Sequence, residues 1–565
     1  MAKVILGKVA ISWKNVYNGS TTYNAQDVVI HNNQCYICTT DATTGQTPPN
    51  NSWELFTNSP IDFASNEFDL IFKNENNQLS VLPIGADDSV LGIDYYTKTP
   101  TWQKLQFQLG SRIQRFANEK NQDVTESTCF VIDTNDRLRA WGNGSNYHLG
   151  IGSNASHEML PIHVAFPQDF SGVSKLYSSN QTYIGVIDND GKWWVWGKGS
   201  TNGSVGLNIS TDLHIPKCLS DVSASNSIYG KTIVQSTQKI DTVGDKYNNL
   251  LLDSAGDVHY VGASDYFLGG AIRSNYEDFT ALLSLPKMTK IASNGKQEEA
   301  IYYMLSITGE VYSFGYGGNG ERGDGFNVTA HMPPLNQLAG LTNIEKIYGA
   351  PKQGYAIDTT GKLYSWGKNN FGQLGIGNSM DKNTPQANSI FDGSTRKAIE
   401  VYYNNGSTNQ TIIVTSTDAS DTDHKTHFCG NNFNATTSQQ TFSEIPELAG
   451  KVVTHVACIG GNSTGAINTI TALFLTSDNE LWVVGYGDNG QLGDGKGQSV
   501  STIQELIHIG KDIKIVDIHG FGHNENSGFC LLDENGRLFY MGSGLNMKSS
   551  NDEDFSNFTL QEIVF

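Results

Sequence analysis

A glycine that follows an aromatic or apolar residue recurs along most of the 565-residue chain, and this repeat restricts the fold more than any other feature. The copies, called anchor glycines below, lie 52 to 65 residues apart. The eight anchors are Gly142, Gly197, Gly262, Gly315, Gly367, Gly430, Gly485 and Gly542. Self-similarity at such a period is typical of an array in which one supersecondary unit is repeated and stacked.

Two apolar columns accompany the anchors. The residues one position before them are Trp141, Trp196, Val261, Phe314, Trp366, Cys429, Val484 and Met541. The residues four positions before them are Leu138, Trp193, Val258, Val311, Leu363, Thr426, Leu481 and Leu538. Because side chains alternate sides along a strand, the two columns predict strands that are covered on both faces. Small sheets stacked against each other would provide that cover.

A charged residue stands five positions before every anchor, usually after Gly, Asn or Asp, as in AIDTTGKLYSWG at 356–367. This pattern predicts a hairpin in which the turn residue takes positive φ and the charge reaches water. Beyond the anchor, segments such as GKNNFGQLGIG at 367–377 and GYGDNGQLGDG at 485–495 have the same length from first to last glycine. The constant length predicts one repeated loop shape.

GKLYSWGKNNFGQLGIG at 361–377 and its relatives resemble the repeat of the regulator of chromosome condensation family over about residues 120–565. The resemblance implies an all-β fold, a β-propeller of four-stranded blades, normally seven, whereas the eight anchors leave the number at seven or eight. The residues alone predict small antiparallel sheets stacked radially. We expect the terminal segment 558–565 to close the ring by pairing with an early strand such as LQFQL at 105–109.

Residues 1–60 lack the repeat and resemble a small three-stranded β module of chitin-binding domains and bacteriophage tail fibres. Sugars bind aromatic rings through their C–H groups, so exposed aromatic side chains of this module are candidates for a carbohydrate site. The candidates are Trp13, Tyr17, Tyr23, Tyr36 and Trp53. The alternative is that these rings form most of the core of a small domain. Residues 61–119 show no repeat, and we expect them to connect the module to the propeller at 120–565.

Several short motifs have simpler explanations than the activities that they suggest. GYGGNG at 315–320 fits the dinucleotide fingerprint, but the repeat generates it and no helix is predicted to follow. Arg322-Gly323-Asp324 aligns with an ordinary loop tripeptide in a sister unit. Cys35 and Cys38 have zinc-like spacing, but strand alternation would point them to opposite faces. We therefore predict no metal, no cofactor and no catalytic constellation, and expect that the protein is not an enzyme.

Charge limits the class of partner. The 37 Lys and Arg against 57 Asp and Glu give a formal net charge of −20, which opposes binding to nucleic-acid phosphates or anionic membranes. The first residues, MAKVILGKVAISW, do not match a secretory signal, and the seven cysteines are scattered. We expect synthesis in a reducing cytosol, without membrane insertion.

These observations favour a binding protein. We expect a component of a bacteriophage tail or fibre, assembled in the host cytoplasm, that attaches the virion to a cell-surface glycan or receptor and contacts other tail proteins. Weak contacts in several copies, such as a homo-oligomer provides, would add up through effective concentration. The alternatives are a bacterial polysaccharide- or chitin-binding protein and a structural virion component without a receptor.

Overall fold

The structure, a computed structural model, describes residues 12–24, 27–32, 34–40, 43–57, 70–73, 79–82, 89–93, 100–104, 113–116, 128–133, 136–142, 144, 147–154, 158–178, 183–198, 211–222, 226–240, 247–262, 276–282, 285–293, 301–404, 411–433, 437–460, 470–506, 513–523, 526–542 and 557–563. The chain divides into two compact units, Met1–Gly110 and Ser111–Phe565. The described part contains no α-helix, and a short 3-10 helix spans Pro446–Leu448. None of its helices has the length and apolar character that a membrane span requires.

The first unit is built from short strands. They are β1 (Ser12–Val16), β2 (Thr22–Tyr23), β3 (Asp27–His31), β4 (Gln34–Cys38), β5 (Thr43–Thr44), β6 (Trp53–Thr57), β7 (Leu70–Lys73), β8 (Leu79–Leu82), β9 (Ser89–Ile93) and β10 (Pro100–Lys104). The main sheet has the order β1-β3-β4-β6, with β1 parallel to β3. It therefore has four strands where the sequence predicts three. The pairs β2–β5, β7–β8 and β9–β10 form separate two-stranded ladders.

The described part of the second unit contains eight four-stranded antiparallel sheets, each made of consecutive strands and numbered here as blades 1 to 8. Blade 1 comprises β11 (Ile113–Phe116), β12 (Thr128–Asp133), β13 (Leu138–Gly142) and β14 (Glu158–His163), and blade 2 comprises β15 (Val173–Ser178), β16 (Tyr183–Asp188), β17 (Trp193–Gly197) and β18 (Leu213–Cys218). Blade 3 comprises β19 (Ile233–Ile240), β20 (Tyr247–Asp253), β21 (Val258–Gly262) and β22 (Tyr276–Ala281), and blade 4 comprises β23 (Met288–Ser293), β24 (Ile301–Ser306), β25 (Val311–Gly317) and β26 (Val328–Gln337). Blade 5 comprises β27 (Ile344–Ala350), β28 (Gln353–Asp358), β29 (Lys362–Gly367) and β30 (Lys382–Asp392), and blade 6 comprises β31 (Arg396–Tyr403), β32 (Thr411–Asp418), β33 (Lys425–Asn431) and β34 (Ser438–Glu444). Blade 7 comprises β35 (Val453–Ile459), β36 (Thr471–Thr476), β37 (Leu481–Gly485) and β38 (Val500–Glu505), and blade 8 comprises β39 (Ile515–His523), β40 (Asn526–Asp533), β41 (Leu538–Gly542) and β42 (Asn557–Ile563).

Every anchor glycine lies in the third strand of a blade, at or near its end, so the eight anchors correspond to eight blades. The two apolar columns before the anchors face opposite neighbours, as predicted. In blade 2, Trp196 packs in a hydrophobic cluster with blade 1, whereas Trp193 packs in a cluster with blade 3. In blade 5, Trp366 and Leu363 divide in the same way between blades 4 and 6. Each such fully buried side chain stabilises the fold by roughly 1.5–3 kcal/mol.

The first strands of successive blades contact each other in several pairs, including β15 with β19 and β35 with β39. This places the first strand of each blade nearest the common axis and its fourth strand outermost. A β-bulge interrupts every first strand near its start, for example between Ile344 and Lys346 in blade 5. Because a bulge increases local twist, it helps short sheets to fan around an axis. The second unit is therefore a β-propeller.

The ring closes by packing of its first blade against its last. β11 contacts both β39 and β40, and each of these strands pairs only within its own blade. The terminal strand β42 is the outer strand of blade 8, where Ile563 lies opposite Leu538. The prediction that segment 558–565 pairs with an early strand is corrected accordingly, and its proposed partner, 105–109, lies outside the described residues. The propeller also begins earlier than residue 120, because Ile113–Phe116 completes blade 1.

Candidate binding faces of the propeller

The glycine-rich loop after the anchor has one backbone conformation in blades 1, 4, 5 and 7. In blade 5, the N–H of Gly372 donates to the carbonyl of Asn369, and the N–H of Gly375 donates to the carbonyl of Gly372, each over 2.9 Å. Equivalent bonds run from Tyr147 to Gly144, Gly150 to Tyr147, Gly320 to Gly317, Gly323 to Gly320, Gly490 to Gly487 and Gly493 to Gly490. The equal loop lengths in the sequence therefore correspond to one repeated shape.

In blades 1, 4 and 5 the last glycine of the loop bonds to the outer strand of the next blade. Gly152 donates to the carbonyl of His214 over 2.9 Å, Gly325 to that of Asn383 over 2.7 Å, and Gly377 to that of Gln440 over 2.8 Å. An inner glycine of the loop lies against the residue before the next anchor: a Cβ on Gly323 would come within 2.7 Å of the Trp366 indole nitrogen. The glycines are needed because successive blades approach so closely here.

The contact surface between neighbouring blades, called the seam below, also contains a hydrogen bond from the side chain that precedes the anchor glycine. The Trp196 indole N–H donates to the carbonyl of His148 in blade 1, at 2.7 Å. Cys429 occupies the equivalent position in blade 6, and its Sγ lies 3.2 Å from the carbonyl of Gln373 in blade 5. Burial raises the pKa of the Cys429 thiol, so it serves as a neutral donor.

The two ends of the propeller carry different connections. The connections between successive blades, from 393–395 to 219–232, lie at the same end as the turns that join the second and third strands. The hairpin face, defined as the end where the second and third strands join, has short turns such as 359–361 in blade 5. At the opposite end, the loop face, the connection between the first and second strands spans 460–470 in blade 7 but only 351–352 in blade 5. Variable connections on a rigid frame are typical of a recognition surface.

The chain enters and leaves the ring on the hairpin face. Ile113, at the start of β11, lies opposite Asp133 at the hairpin of blade 1. Ile563, at the end of β42, lies opposite Leu538 at the hairpin end of blade 8. The loop face of the described propeller therefore carries neither chain end.

The hairpin turns are capped by the side chain at the end of the second strand, which is an aspartate in six blades and a hydroxyl residue, Ser306 or Thr476, in blades 4 and 7. In blade 5, one oxygen of Asp358 accepts the N–H groups of Thr360 and Lys362 over 2.9 and 3.0 Å. The cations of this face are used in ion pairs, such as Lys346 with Glu400 of the next blade at 3.1 Å. Exposed pairs of this type contribute little each. The charge five residues before each anchor was predicted to reach water, and it is partly exposed in all eight blades.

A Ser-His-Asp arrangement in blade 3 escapes sequence reasoning, because its members are not spaced as a known motif. His259 Nδ1 lies 2.8 Å from Ser227 Oγ, and its Nε2 lies 3.2 Å from Asp253 Oδ2. Asp253 is the hairpin cap of its blade, and in sister blades the same carboxylate receives Trp194 or Arg139 from the equivalent position. Burial lowers the pKa of His259. We interpret the arrangement as a capped hairpin.

The sugar-stacking candidates of the first unit are mostly core residues. Tyr23, Tyr36 and Trp53 are 1%, 4% and 5% exposed and form one hydrophobic cluster. Trp53 is further fixed by its indole N–H, which donates to the carbonyl of Gln46 at 2.5 Å. Ring faces that are covered in this way leave no platform for a sugar, so the interpretation of these three residues as a binding site is corrected to a structural one.

Tyr17 is half-buried and stacks on Tyr23 with ring centroids 5.6 Å apart, so it extends the same cluster. The backbone of Trp13 lies in β1, and its side chain is outside the described residues. Cys38 is buried, and its Sγ lies 3.0 Å from the carbonyl of Thr40. No group of three or more potential metal ligands occurs among the residues that the structure describes.

The tripeptide Arg322-Gly323-Asp324 is folded into the loop of blade 4. The side chains of Arg322 and Asp324 are 3% and 1% exposed and pair with each other at 2.5 Å. The tripeptide therefore does not present its charges to a partner.

Comparison with known proteins agrees with this architecture. The sequence profile described as "Regulator of chromosome condensation (RCC1) repeat" matches residues 360–403, which run from the hairpin of blade 5 through its glycine-rich loop into blade 6. The second unit is an RCC1-like propeller. It is similar in sequence to the ultraviolet-B receptor UVR8 of Arabidopsis thaliana, with 22% identity over 46% of this chain and 43% of UVR8.

A second relative is the human E3 ubiquitin-protein ligase HERC2, with 28% identity over 42% of this chain and 5% of that protein. The matches thus span less than half of either relative. Among solved structures, the RCC1-like propeller is similar to human WBSCR16, with TM-score 0.47, 17% identity and coverage of 69% of this chain and 96% of that chain. It is also similar to yeast RCC1 (Prp20) bound to Kap60, with TM-score 0.47, 14% identity and coverage of 74% and 89%.

Proposed function

We propose that this protein is a non-catalytic attachment protein of a bacteriophage tail or fibre, which binds a host cell-surface glycan or receptor through the loop face of its propeller. The observation that carries the binding role is the make-up of the loop face. The loop face combines first-to-second-strand connections of very different length with glycine-rich loops that have one shape in blades 1, 4, 5 and 7. The first strand of the described propeller begins, and its last strand ends, at the other face.

The tail-fibre part of the proposal rests on the sequence resemblance of residues 1–60 to tail-fibre modules. A virion component assembled in the host cytoplasm also accounts for cysteines that lie within the core, such as Cys429 and Cys530, without serving as bridges. Contacts with other tail proteins would then be made away from the loop face. Several copies on one particle would convert weak individual contacts into firm attachment.

Binding of the labelled full chain to whole cells of a panel of bacterial strains tests the proposal. We expect saturable binding to at least one strain. A variant in which 461–469 is replaced by the Pro351-Lys352 turn of blade 5 should lose it. The matched control is Lys397→Ala on the hairpin face, which should bind normally, and both variants should unfold at the wild-type temperature.

Binding to no strain, while particles still contain the protein, would favour a structural virion component. Binding to isolated cell-wall polysaccharide by a protein that is absent from particles would favour a bacterial polysaccharide-binding protein.

A further inference from the structure

Tyr147 breaks the backbone rule of the glycine-rich loops. The fifth residue after the anchor has positive φ in all four loops of this shape, and it is glycine in three of them, namely Gly320, Gly372 and Gly490. In blade 1 the same position is Tyr147, with φ of 62°. Among the described residues it is the only aromatic one with positive φ. For a bulky side chain this conformation costs about 1–2 kcal/mol.

The neighbouring blade shows why glycine is usual here. A Cβ on Gly320 would come within 2.7 Å of the Cα of Asn383, and a Cβ on Gly372 within 2.5 Å of the Cα of Gln440. His214 is the equivalent of these two residues in blade 2, because all three accept the N–H of the last loop glycine. Tyr147 has a Cβ and a ring at this position, so its contact with the outer strand of blade 2 differs from the contacts of the sister glycines.

The Tyr147 ring lies against the outer strand of blade 2 and stacks on His214, with centroids 3.9 Å apart and planes 12° apart. His214 is exposed, Tyr147 is half-buried, and the adjacent Ile215 is 45% exposed. The backbone of His214 is held by Gly152, so the pair is fixed from both blades. The result is a small rigid aromatic and apolar surface on the loop face, maintained at a cost in backbone strain.

We infer that Tyr147, His214 and Ile215 form a binding platform for a neutral hexopyranose unit of an oligosaccharide. The inference deepens the proposed function and rests on it. Sugars pack their C–H faces on aromatic rings, and one or two sugar rings match a platform of three side chains. A protein partner would need about 800 Å² on each side. The net charge of −20 disfavours anionic ligands. The backbone strain of a positive φ is present at Tyr147, whereas the sister loops avoid it by having glycine. Strain that is retained in one copy of a repeat points to a functional role.

Substitution of Tyr147 by glycine separates binding from folding. Tyr147→Gly restores the residue of the sister loops, so it should raise or preserve the unfolding temperature while it removes the platform. With chitotetraose, maltohexaose and a galactan tetrasaccharide as probes, saturation-transfer NMR on the full chain should detect binding of at least one. The dissociation constant, measured by calorimetry, should lie between micromolar and millimolar and rise at least tenfold in Tyr147→Gly and in His214→Ala.

Phe326→Ala is the matched control, because Phe326 is an aromatic residue 60% exposed at the end of the loop in blade 4. It should bind like wild type. Three results with the probes would each overturn the inference: no probe binds, Tyr147→Gly binds as tightly as wild type, or Phe326→Ala weakens binding as much. Cell binding that survives in Tyr147→Gly would overturn the platform and leave the proposed function standing. If the wild-type chain binds to none of the cells, the proposed function itself is overturned.

Discussion

The indole N–H of Trp196 in blade 2 donates to the backbone carbonyl of His148 in blade 1, at 2.7 Å, and this bond joins two blades that share no strand pairing. Trp366 makes the same bond to Glu321 across the seam between blades 4 and 5, at 2.9 Å. Both indoles are fully buried. The seam thus combines aromatic packing with a polar contact that cannot be exchanged for water.

Trp196→Phe should lower the free energy of unfolding beyond the loss from reduced volume, by about 1–3 kcal/mol, because the buried carbonyl of His148 is left without its donor. Trp193→Phe on the same strand is the control. Trp193 is equally buried, and within the described part of the chain its Nε1 has no partner to lose. Urea denaturation of both variants measures the difference. Equal destabilisation would show that the hydrogen bond contributes nothing.

Gly323→Ala should destabilise the protein more than Gly340→Ala. Both glycines have positive φ, 71° and 83°, so both variants incur a backbone cost of about 1–2 kcal/mol. A Cβ at Gly323 would also collide with Trp366, whereas nothing lies within 4 Å of one at Gly340. The thermal unfolding temperatures should therefore differ by several degrees. If the two midpoints coincide, the close approach of the blades is not limiting.

Removal of one partner of the buried ion pair between Arg322 and Asp324 should lower the free energy of unfolding strongly, whereas replacement of both by apolar residues should change it little. Arg322→Leu or Asp324→Ile alone leaves a buried charge without its partner and should cost about 3–5 kcal/mol. The double variant reproduces Leu374 and Ile376 of the sister loop in blade 5 and should return close to wild-type stability. A double-mutant cycle by denaturant unfolding checks this. Additive losses in the double variant would contradict it.

Stability should fall on acidification below neutrality because of buried histidines. Burial lowers the pKa of His427 to about 4, and nearby Arg396 acts in the same direction. An unfolded histidine has a pKa of about 6.5, so between pH 6.5 and 4 the unfolded chain binds a proton that the folded chain resists. The folded state therefore loses up to about 3 kcal/mol as pH falls through this window, and above it this group has no effect. His427→Gln should make the pH dependence of urea unfolding shallower. An unchanged slope would mean that His427 does not contribute.

Truncation after Asn557 should unfold blade 8. The removed residues form most of the outer strand β42, and the strand that it covers, Leu538–Gly542, is buried along its whole length. Loss of this edge exposes both an unpaired ladder and apolar side chains, so circular dichroism should show a lower and broader thermal transition. An unchanged transition in the truncated protein would contradict the prediction.

The architecture of the propeller could be predicted because apolar residues occur at fixed distances before each anchor glycine. The columns at Trp366 and Leu363 required cover on both faces, and each faces a different neighbouring blade. The closure of the ring could not be predicted, since alternation in FTLQEIVF indicates a strand without indicating its partner. β11 escaped notice because a four-residue strand lacks both columns.

The candidate sites were harder to predict for a physical reason. An aromatic residue such as Trp53 has the same sequence pattern whether its ring is in a core or on a surface, and only burial distinguishes the two. Tyr147 carried the opposite signal: it departs from a glycine column. That departure was visible in the aligned loops, but its meaning required the φ angle and the His214 stack.

Because every blade consists of four consecutive strands and the ring is sealed without strand exchange, no blade is topologically special. The chain could begin at any junction between blades, so a circular permutant that starts before blade 5 retains every pairing of the ring. Duplication or loss of one segment between junctions changes the circumference without rewiring its neighbours. The number of blades is thus open to change by recombination.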